Sequence, residues 1–582
     1  MLTRKIRCHR TSMAALVAAL AGLAALPAAA QGITSYEPVT EARLLKPEPH
    51  NWLHYRGNFE GWGYSPLGKI TTANVRNLKP VWTMSTGVVE GHQSPPFVNN
   101  GVMFVSTPGN QVLALNAKTG DLIWRYKREL PEDIIQSHPT NRGVGLYGNK
   151  VFLATLDAFV IALDARTGKV LWETRVDDYK RAYYFTLAPL VAKGKVMVGT
   201  SGGEFGIRGY VAALDAETGK EVWRSYTIPA PGEPGSETWK GADHWKTGGG
   251  SVWITGHYDP KLNLTYWGTG NPGPWLGDMH PGDSLYTASV VALDVDTGKL
   301  RGYHQYVPNE SWDWDEVSTP LLIDYKRKGR NIAGLVHPGR NGYLWLLERQ
   351  QDAIKFIDAR PFVKQEVFTA IDPLTGRPSW DESKKPATGK TVTFCPSHWG
   401  GKDWPPAAWN PKTRLLYIPA HENLCATLKG EDKRPTYEPG KRFVGTDAAA
   451  TRVFKREGAK HIGELQAWNL ETGKKVWTYE YPHINWGPVL TTAGGLVFAG
   501  GSSDRMFRAF DAKTGKVVWE FKANSGITAV PISYMVDGVQ YIAVQAGWGV
   551  DAQKMINRLD QTAGTTTHVP QGGVIWVFAV KN

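Results

Sequence analysis

Asp164-Ala165-Arg166-Thr167-Gly168-Lys169-Val170-Leu171-Trp172 is the stretch whose reading decides the fold. It follows the apolar run Val160-Ile161-Ala162-Leu163. An Asp at the head of such a run starts a turn by accepting backbone N–H groups on its side chain. The Gly supplies a positive φ, and the chain returns as a strand carrying a large aromatic. The stretch therefore predicts a β-hairpin.

The phrase recurs as Asn116-Ala117-Lys118-Thr119-Gly120 with Trp124, and as Asp215-Ala216-Glu217-Thr218-Gly219 with Trp223. It returns as Asp294-Val295-Asp296-Thr297-Gly298, Asn469-Leu470-Glu471-Thr472-Gly473 with Trp477, and Asp511-Ala512-Lys513-Thr514-Gly515 with Trp519. Adjacent tryptophans fall about 40–50 residues apart, the period of a four-stranded propeller blade. Gly and Pro number 63 and 37, and 3.6-residue periodicity is scarce, which argues against a helical solenoid. The expectation is an all-β, eight-bladed β-propeller with Trp-containing repeats, forming one domain over residues 31–582.

Residues 1–30 carry a basic head, an apolar run from about Met13 to Leu26, and the small-residue end Pro27-Ala28-Ala29-Ala30. That pattern predicts a cleavable secretory signal peptide, and no later stretch is long and apolar enough to span a bilayer. The formal charge of +12 falls to near +8 once Arg4, Lys5, Arg7 and Arg10 are set aside. It is dispersed rather than gathered into runs, which speaks against nucleic-acid binding. Cys395 and Cys425 remain after the signal; in an exported chain they read as a disulfide, with two buried thiols as the alternative. The chain contains neither a C-x-x-C-H haem motif nor a G-x-x-x-x-G-K-[ST] phosphate loop.

A propeller by itself does not specify function, so chemistry has to come from the loops. Thr200-Ser201-Gly202-Gly203-Glu204 offers close backbone approach and a carboxylate, and Gly249-Gly250-Ser251-Val252-Trp253 a flat aromatic. Gly268-Thr269-Gly270-Asn271-Pro272-Gly273-Pro274-Trp275 offers an amide oxygen in a rigid turn. Ser311-Trp312-Asp313-Trp314-Asp315 places two carboxylates two residues apart; if the segment is extended, both point to one face. Glu204, Asn271, Asp313 and Asp315 together form an all-oxygen donor set suited to a hard cation.

These segments, in this order and at these intervals, resemble the pyrroloquinoline quinone (PQQ)-dependent alcohol dehydrogenases of the methanol/ethanol dehydrogenase type without a fused cytochrome. The resemblance covers essentially the whole chain beyond the signal. It implies Glu204, Asn271, Asp313 and Asp315 as metal ligands, Asp313 as catalytic base and Arg340 as a donor to the quinone oxygens. It implies Trp253 as the surface on which the quinone stacks, and Arg142, Thr155, Ser201, Gly202, Gly203 and Ser251 as further cofactor contacts. Gln93, Asp403, Trp486 and Trp548 fall in segments around the cofactor or substrate, and Cys395 with Cys425 matches the family's long-range disulfide.

The chain departs from the family where many members carry two adjacent cysteines over the quinone. Here the segment reads Gln136-Ser137-His138-Pro139-Thr140, so Ser137, His138 or Pro139 would cover that face. Gln93 stands where many members have Glu, and Asp403 where many have Asn. Asp315 is the carboxylate found in members that use lanthanides; a trivalent ion wants more anionic ligation, so a lanthanide(III) is favoured, with Ca(II) as the alternative. The resemblance further implies a primary alcohol substrate, with aldehydes in addition, and periplasmic location. A separate soluble c-type cytochrome is the implied electron acceptor, and a homodimer the implied assembly. The rival reading is a non-catalytic β-propeller scaffold of the cell envelope.

Overall fold

The computed structural model describes residue 33 and residues 36–581; the expected signal peptide lies outside them. α-Helix occurs at Glu41–Leu45 and Gly549–Ala563 among the described residues, and the rest is strand, loop and short 3-10 turns such as Gly203–Phe205. Seven four-stranded antiparallel sheets and one five-stranded sheet account for most strands, with a two-stranded and a three-stranded sheet beside them. A typical sheet runs Gly145–Tyr147, Lys150–Ala154, Phe159–Asp164, Val170–Arg175, each strand pairing with the next. Its middle strands are buried throughout the apolar run, while the last strand alternates in exposure, as a strand with one solvated face should.

The repeat phrase makes the turn between the third and fourth strands of a sheet. Asp164 Oδ1 accepts the N–H of Arg166 at 3.1 Å, the N–H of Thr167 at 2.9 Å and the Thr167 hydroxyl at 2.8 Å. Gly168 follows at φ +71°. The tryptophan's partner lies in the neighbouring sheet. Trp124 donates its indole N–H to the carbonyl of Ala165 at 3.0 Å, and its ring lies 2.6 Å from where a Gly168 Cβ would stand. The same indole-to-turn bond joins Trp172 to Ala216, Trp223 to Val295 and Trp477 to Ala512. Each repeat thus contributes the clasp to one neighbour and the socket to the other.

An early and a late segment meet in one sheet: Leu78–Ser85 is its edge strand and pairs with Val574–Val580, which pairs with Val539–Ala546, which in turn pairs with Ile532–Val536. Trp519, the last repeat tryptophan, donates to the carbonyl of Leu78 at 2.9 Å. A further copy of the turn, Asp372-Pro373-Leu374-Thr375-Gly376, sits in the two-stranded sheet Phe368–Ile371 with Pro378–Trp380. It keeps the Asp-x-x-Thr-Gly spacing of the other copies, with Trp380 in the place of the returning tryptophan. The three-stranded sheet Thr391–Phe394, Leu424–Lys429 and Arg452–Lys455 carries the disulfide between Cys395 and Cys425. The helix Gly549–Ala563 packs on that sheet.

Candidate active site

The Trp-Asp-Trp-Asp segment is not an extended strand, which corrects the geometry expected for it. Glu310, fully buried, accepts the N–H of Trp312 at 2.6 Å and of Trp314 at 2.9 Å on the same Oε1. The chain curls around that carboxyl, and Asp313 takes a left-handed φ of +65°. The two indoles stack on each other at 5.0 Å and 14°. They are tied by their N–H groups to the carbonyls of Lys384 and Ser397 at 2.7 and 2.9 Å. Aromatic packing on one side thus turns both carboxylates to the other, into a common chamber.

The chamber has a volume of about 550 Å³, within the range of small-molecule and cofactor sites. Asp313, Asp315, Glu204, Trp253, Arg142, Arg340, Ser201, Gly202, Gln93, Asp403 and Trp486 all line it. Gly203, Ser251 and Asn271 lie directly behind that wall. Asn271 donates Nδ2 to Asp313 Oδ1 at 2.7 Å, and its backbone N–H goes to Asp315 Oδ1 at 2.7 Å. Its remaining Oδ1 lies toward the glycine loop, 3.8 Å from where a Gly203 Cβ would stand. Gly270 must be Gly, because a Cβ there would lie 2.5 Å from Asp315 Oδ1 and 2.7 Å from Ser251 Oγ.

Trp253 donates its indole N–H to Asp315 Oδ2 at 3.0 Å. Arg340 donates to the backbone carbonyl of Asp313 at 3.0 Å, pairs with Asp403, and stands 3.9 Å from Asp315 Oδ2. Its own loop is held by Glu316, a fully buried carboxylate that accepts the N–H groups of Arg340 and Asn341 and contacts the His337 ring at 2.7 Å. Arg142 donates to Thr186 Oγ1 at 2.7 Å, Thr186 is 3.0 Å from Ser201 Oγ, and the guanidinium lies 4.8 Å over the Trp253 ring. Two expected contacts stand elsewhere. Thr155 gives its hydroxyl to Asp157 at 2.6 Å inside its own sheet. Trp548 is buried in the aromatic cluster with Trp486, Trp399 and Trp404 rather than on the chamber wall.

Burial pushes the Asp313 carboxyl well above the usual carboxylate range; Arg340 opposes this, and Asp315, Glu310 and Glu204 add to it. Burial likewise raises Asp315 to about 6, with Arg340 and the Asn271 N–H opposing. Carboxylates crowded in a site with too little positive charge call for a cation. Among the described residues, no three His, Cys, Asp or Glu side chains are grouped so as to hold a metal ion by themselves; a cation here would draw further ligands from amide or bound-molecule oxygens. Gln93 Oε1, Arg142 Nε, Arg340 Nε, Ser137 Oγ and His398 Nδ1 are buried without a hydrogen-bond partner in the protein. These unmet groups and the Trp253 face fit a planar, polyanionic quinone together with a hard cation.

Sequence reading missed Glu310, Glu316 and the chamber's outer wall. That wall is the helix Gly549–Ala563, which contributes Asp551, Lys554, Met555 and Arg558, and Arg442 stands beside it. Ser137 and His138 reach the chamber, and His138 Nδ1 lies 2.7 Å from Asp551 Oδ2. A lone Glu on each side of an aromatic buried segment was the available signal for the first two.

The family model described as PQQ: glucose/ethanol/alcohol dehydrogenase, beta-propeller domain, matches residues 52–370 and 482–542. The quinoprotein alcohol dehydrogenase PedH of Pseudomonas putida is 35% identical over 546 residues, 89% of each chain. The lanthanide-dependent methanol dehydrogenase of Methylacidiphilum fumariolicum is 38% identical over 533 residues, 87% of this chain and 86% of that one. Among solved structures, a europium-containing methanol dehydrogenase superposes with a TM-score of 0.86 at 35% identity, covering 93% of this chain and 99% of that one. With the chamber's donor set, these likenesses settle the family: the chain belongs to the PQQ-dependent quinoprotein alcohol dehydrogenases, oxidoreductases acting on CH–OH donors.

Proposed function

We propose that the protein oxidises primary alcohols, and aldehydes as further substrates, in the periplasm, and passes electrons to a separate soluble c-type cytochrome. The observation that carries this reading is the convergence of Glu204, Asp313 and Asp315 beside Trp253 and Arg340 in one chamber. When bound, PQQ supplies the two-electron acceptor and a cation supplies the Lewis acid that makes it electrophilic.

Glu204, Asp313, Asp315 and the Asn271 amide oxygen would hold the cation. Two aspartates and a glutamate favour a lanthanide(III), with Ca(II) as the alternative. Trp253 gives the cofactor a flat surface, and Asp315 fixes that surface by its bond to the indole. Arg142, Arg340 and Gln93, each with an unmet polar atom, would bind the cofactor's oxygens together with Ser201, Ser251, Asp403 and the backbone of Gly202 and Gly203. Trp486 closes the wall, stacked on His421 at 5.6 Å. Asp313 accepts the hydroxyl proton of the alcohol. Asn271 holds its carboxylate, and Arg340 holds its backbone carbonyl. Ser137 and His138 would cover the face opposite Trp253.

The eight sheets of four or more strands are proposed as the blades of one ring. The tryptophan clasps, continued from Trp519 to the early strand Leu78–Ser85, support a single propeller over residues 31–582. A homodimer is the proposed assembly. Reconstitution tests the whole reading: apoprotein is titrated with PQQ plus lanthanum or calcium, and alcohol-dependent dye reduction is followed. Turnover with at least one metal is expected; no PQQ binding and no turnover with either would overturn the reading.

A further inference from the structure

The inner chamber is rich in carboxylates, but its outer wall is cationic. Lys554 and Arg558, four residues apart on the helix Gly549–Ala563, line it from one side, and Arg442 lines it from the other. Residues four apart share a helix face. Arg442 is held in place because the next residue, Phe443, donates its N–H to the carbonyl of Glu204 at 2.7 Å. Of the helix's two acids, Asp551 is taken by His138, and Asp560 accepts from the Thr565 hydroxyl and the Thr567 N–H. Among the described residues, none of Lys554, Arg558 and Arg442 makes an ion pair, and their side chains form no hydrogen bond.

Arg558 is half-buried, and its neighbours are cations. Burial, Arg442 and Arg452 all disfavour its charge, and Asp313 is the acid that favours it. Burying a guanidinium among other cations without an acid to pair with is unfavourable unless an anion arrives. Asp313, Asp315, Glu204 and Asp403 face one another, Arg340 and the proposed cation on the inner side of the chamber. The outer cations are left for something that enters from the mouth.

We infer that the chamber is built for alcohols that carry a carboxylate at the end remote from the carbinol, held by Arg558 with Arg442 and Lys554 while the CH2OH end reaches Asp313. Leu428, Val444 and Met555 line the same chamber and suit a methylene chain. The chemical step stays that of the family. The CH2OH group becomes CHO: its hydroxyl proton passes to Asp313, and the carbinol C–H hydrogen leaves as hydride, carrying two electrons to the quinone the site would hold. The inference rests on the alcohol dehydrogenase reading above.

The test uses holoenzyme loaded with PQQ and lanthanum. It compares kcat/KM for 4-hydroxybutanoate and 6-hydroxyhexanoate with that for 1-butanol and 1-hexanol. At one chain length at least, the hydroxy acid should be preferred by roughly tenfold, the worth of one charge-assisted hydrogen bond, and added salt should erode the preference. Arg558→Met should lower the ratio of hydroxy-acid to alcohol kcat/KM by a similar factor through KM, and Arg558→Lys should restore part of it. Calorimetry gives a readout independent of turnover: hexanoate should bind the holoenzyme more tightly than hexanamide, and Arg558→Met should abolish the difference. Equal use of acids and alcohols with no effect of Arg558→Met on the ratio would overturn the inference while leaving the enzyme reading intact. Loss of PQQ affinity in Arg558→Met with an unchanged ratio would also overturn it, assigning the cation to the cofactor. Failure to oxidise any alcohol would overturn the enzyme reading and this inference with it.

Discussion

Trp253 and Asp315 form one unit, the indole N–H meeting Oδ2 at 3.0 Å. The second aspartate therefore has two tasks: it adds negative charge to the proposed cation site and it fixes the aromatic surface. Asp315→Ala removes both, while Asp315→Asn keeps an acceptor for the indole. Lanthanum-supported activity should fall by at least ~10–100-fold in both variants, the range seen when ligand-supporting groups are lost. Calcium-supported activity should fall more in Asp315→Ala than in Asp315→Asn. Full activity with calcium alone in both would refute the lanthanide assignment.

Glu310 shapes the loop that carries Asp313. Burial raises its carboxyl to about 8, so it is largely protonated at neutral pH, and Gln is close to its neutral form. Glu310→Gln should keep both bonds to Trp312 and Trp314 and retain most of kcat. Glu310→Ala leaves two buried N–H groups unpaired, each worth ~1–3 kcal/mol, and releases Asp313 from its left-handed conformation. Its kcat should drop by at least about tenfold with KM little changed. Equal activity in the two variants would refute the positioning role.

The His138–Asp551 pair links the segment proposed to cover the cofactor to the outer helix. Asp551 raises the pKa of the His138 imidazole against the effect of burial, and His138 holds the Asp551 carboxyl below its usual range, also against burial. The histidine's contribution is complete below its unfolded value of about 6.5 and is lost as pH rises through its raised folded value. The aspartate's contribution is present above its unfolded value of about 3.9 and is lost as pH falls through its lowered folded value. Joint stabilisation therefore peaks between those two unfolded values. The His138 side chain is 44% exposed, so solvent limits the pair to at most ~1 kcal/mol. His138→Gln should leave the melting temperature nearly unchanged at pH 8 and lower it slightly at pH 5.5; an equal shift at both would disprove the linkage.

The disulfide closes a loop across a sequence separation of 30, for which chain entropy gives about 3–4 kcal/mol. Cys395→Ser with Cys425→Ser should shorten the thermal-inactivation half-life markedly, since the bridge holds the sheet against which the outer helix packs. An unchanged half-life would place the weakest part of the molecule elsewhere.

Gly219 receives the Trp172 ring, which lies 2.5 Å from where a Cβ would stand, at a φ of +70°. Gly219→Ala should destabilise the protein by about 1–3 kcal/mol, read as a lower midpoint in denaturant. The same change at Gly564, which has φ +67° but no atom within 4 Å of such a Cβ, should cost less. Equal effects would mean that backbone strain, not the indole contact, sets the penalty.

The repeat was legible because its physics is local. An Asx turn, a positive-φ glycine and a returning aromatic lie within nine residues, and Asp164 to Trp172 behaves as its sequence predicts. Asp372–Gly376 keeps the same spacing and turn bonds with Pro373 at a variable position, and it escaped notice because it lies in a two-stranded sheet rather than a full four-stranded one. The site was legible as far as the right residue types, Glu204, Asn271, Asp313, Asp315, Trp253 and Arg340, sit on identifiable loops. Thr155 was placed by family position, yet its hydroxyl turns to the nearby Asp157, and nothing in the segment announces that choice.

The sequence by itself determined the β-hairpin repeat, the oxygen-rich donor set and the family, because each depends on neighbours in the chain or on motif order. Tertiary structure alone decided how Asp313 is aimed, since that depends on Glu310 folding the loop and on Lys384 and Ser397 pinning the two indoles. It also decided that the outer wall is cationic: Arg442 and Arg558 are 116 positions apart in sequence and become partners only when the helix closes over the chamber. Side-chain direction and long-range charge are set by packing between distant segments, and no local pattern encodes them.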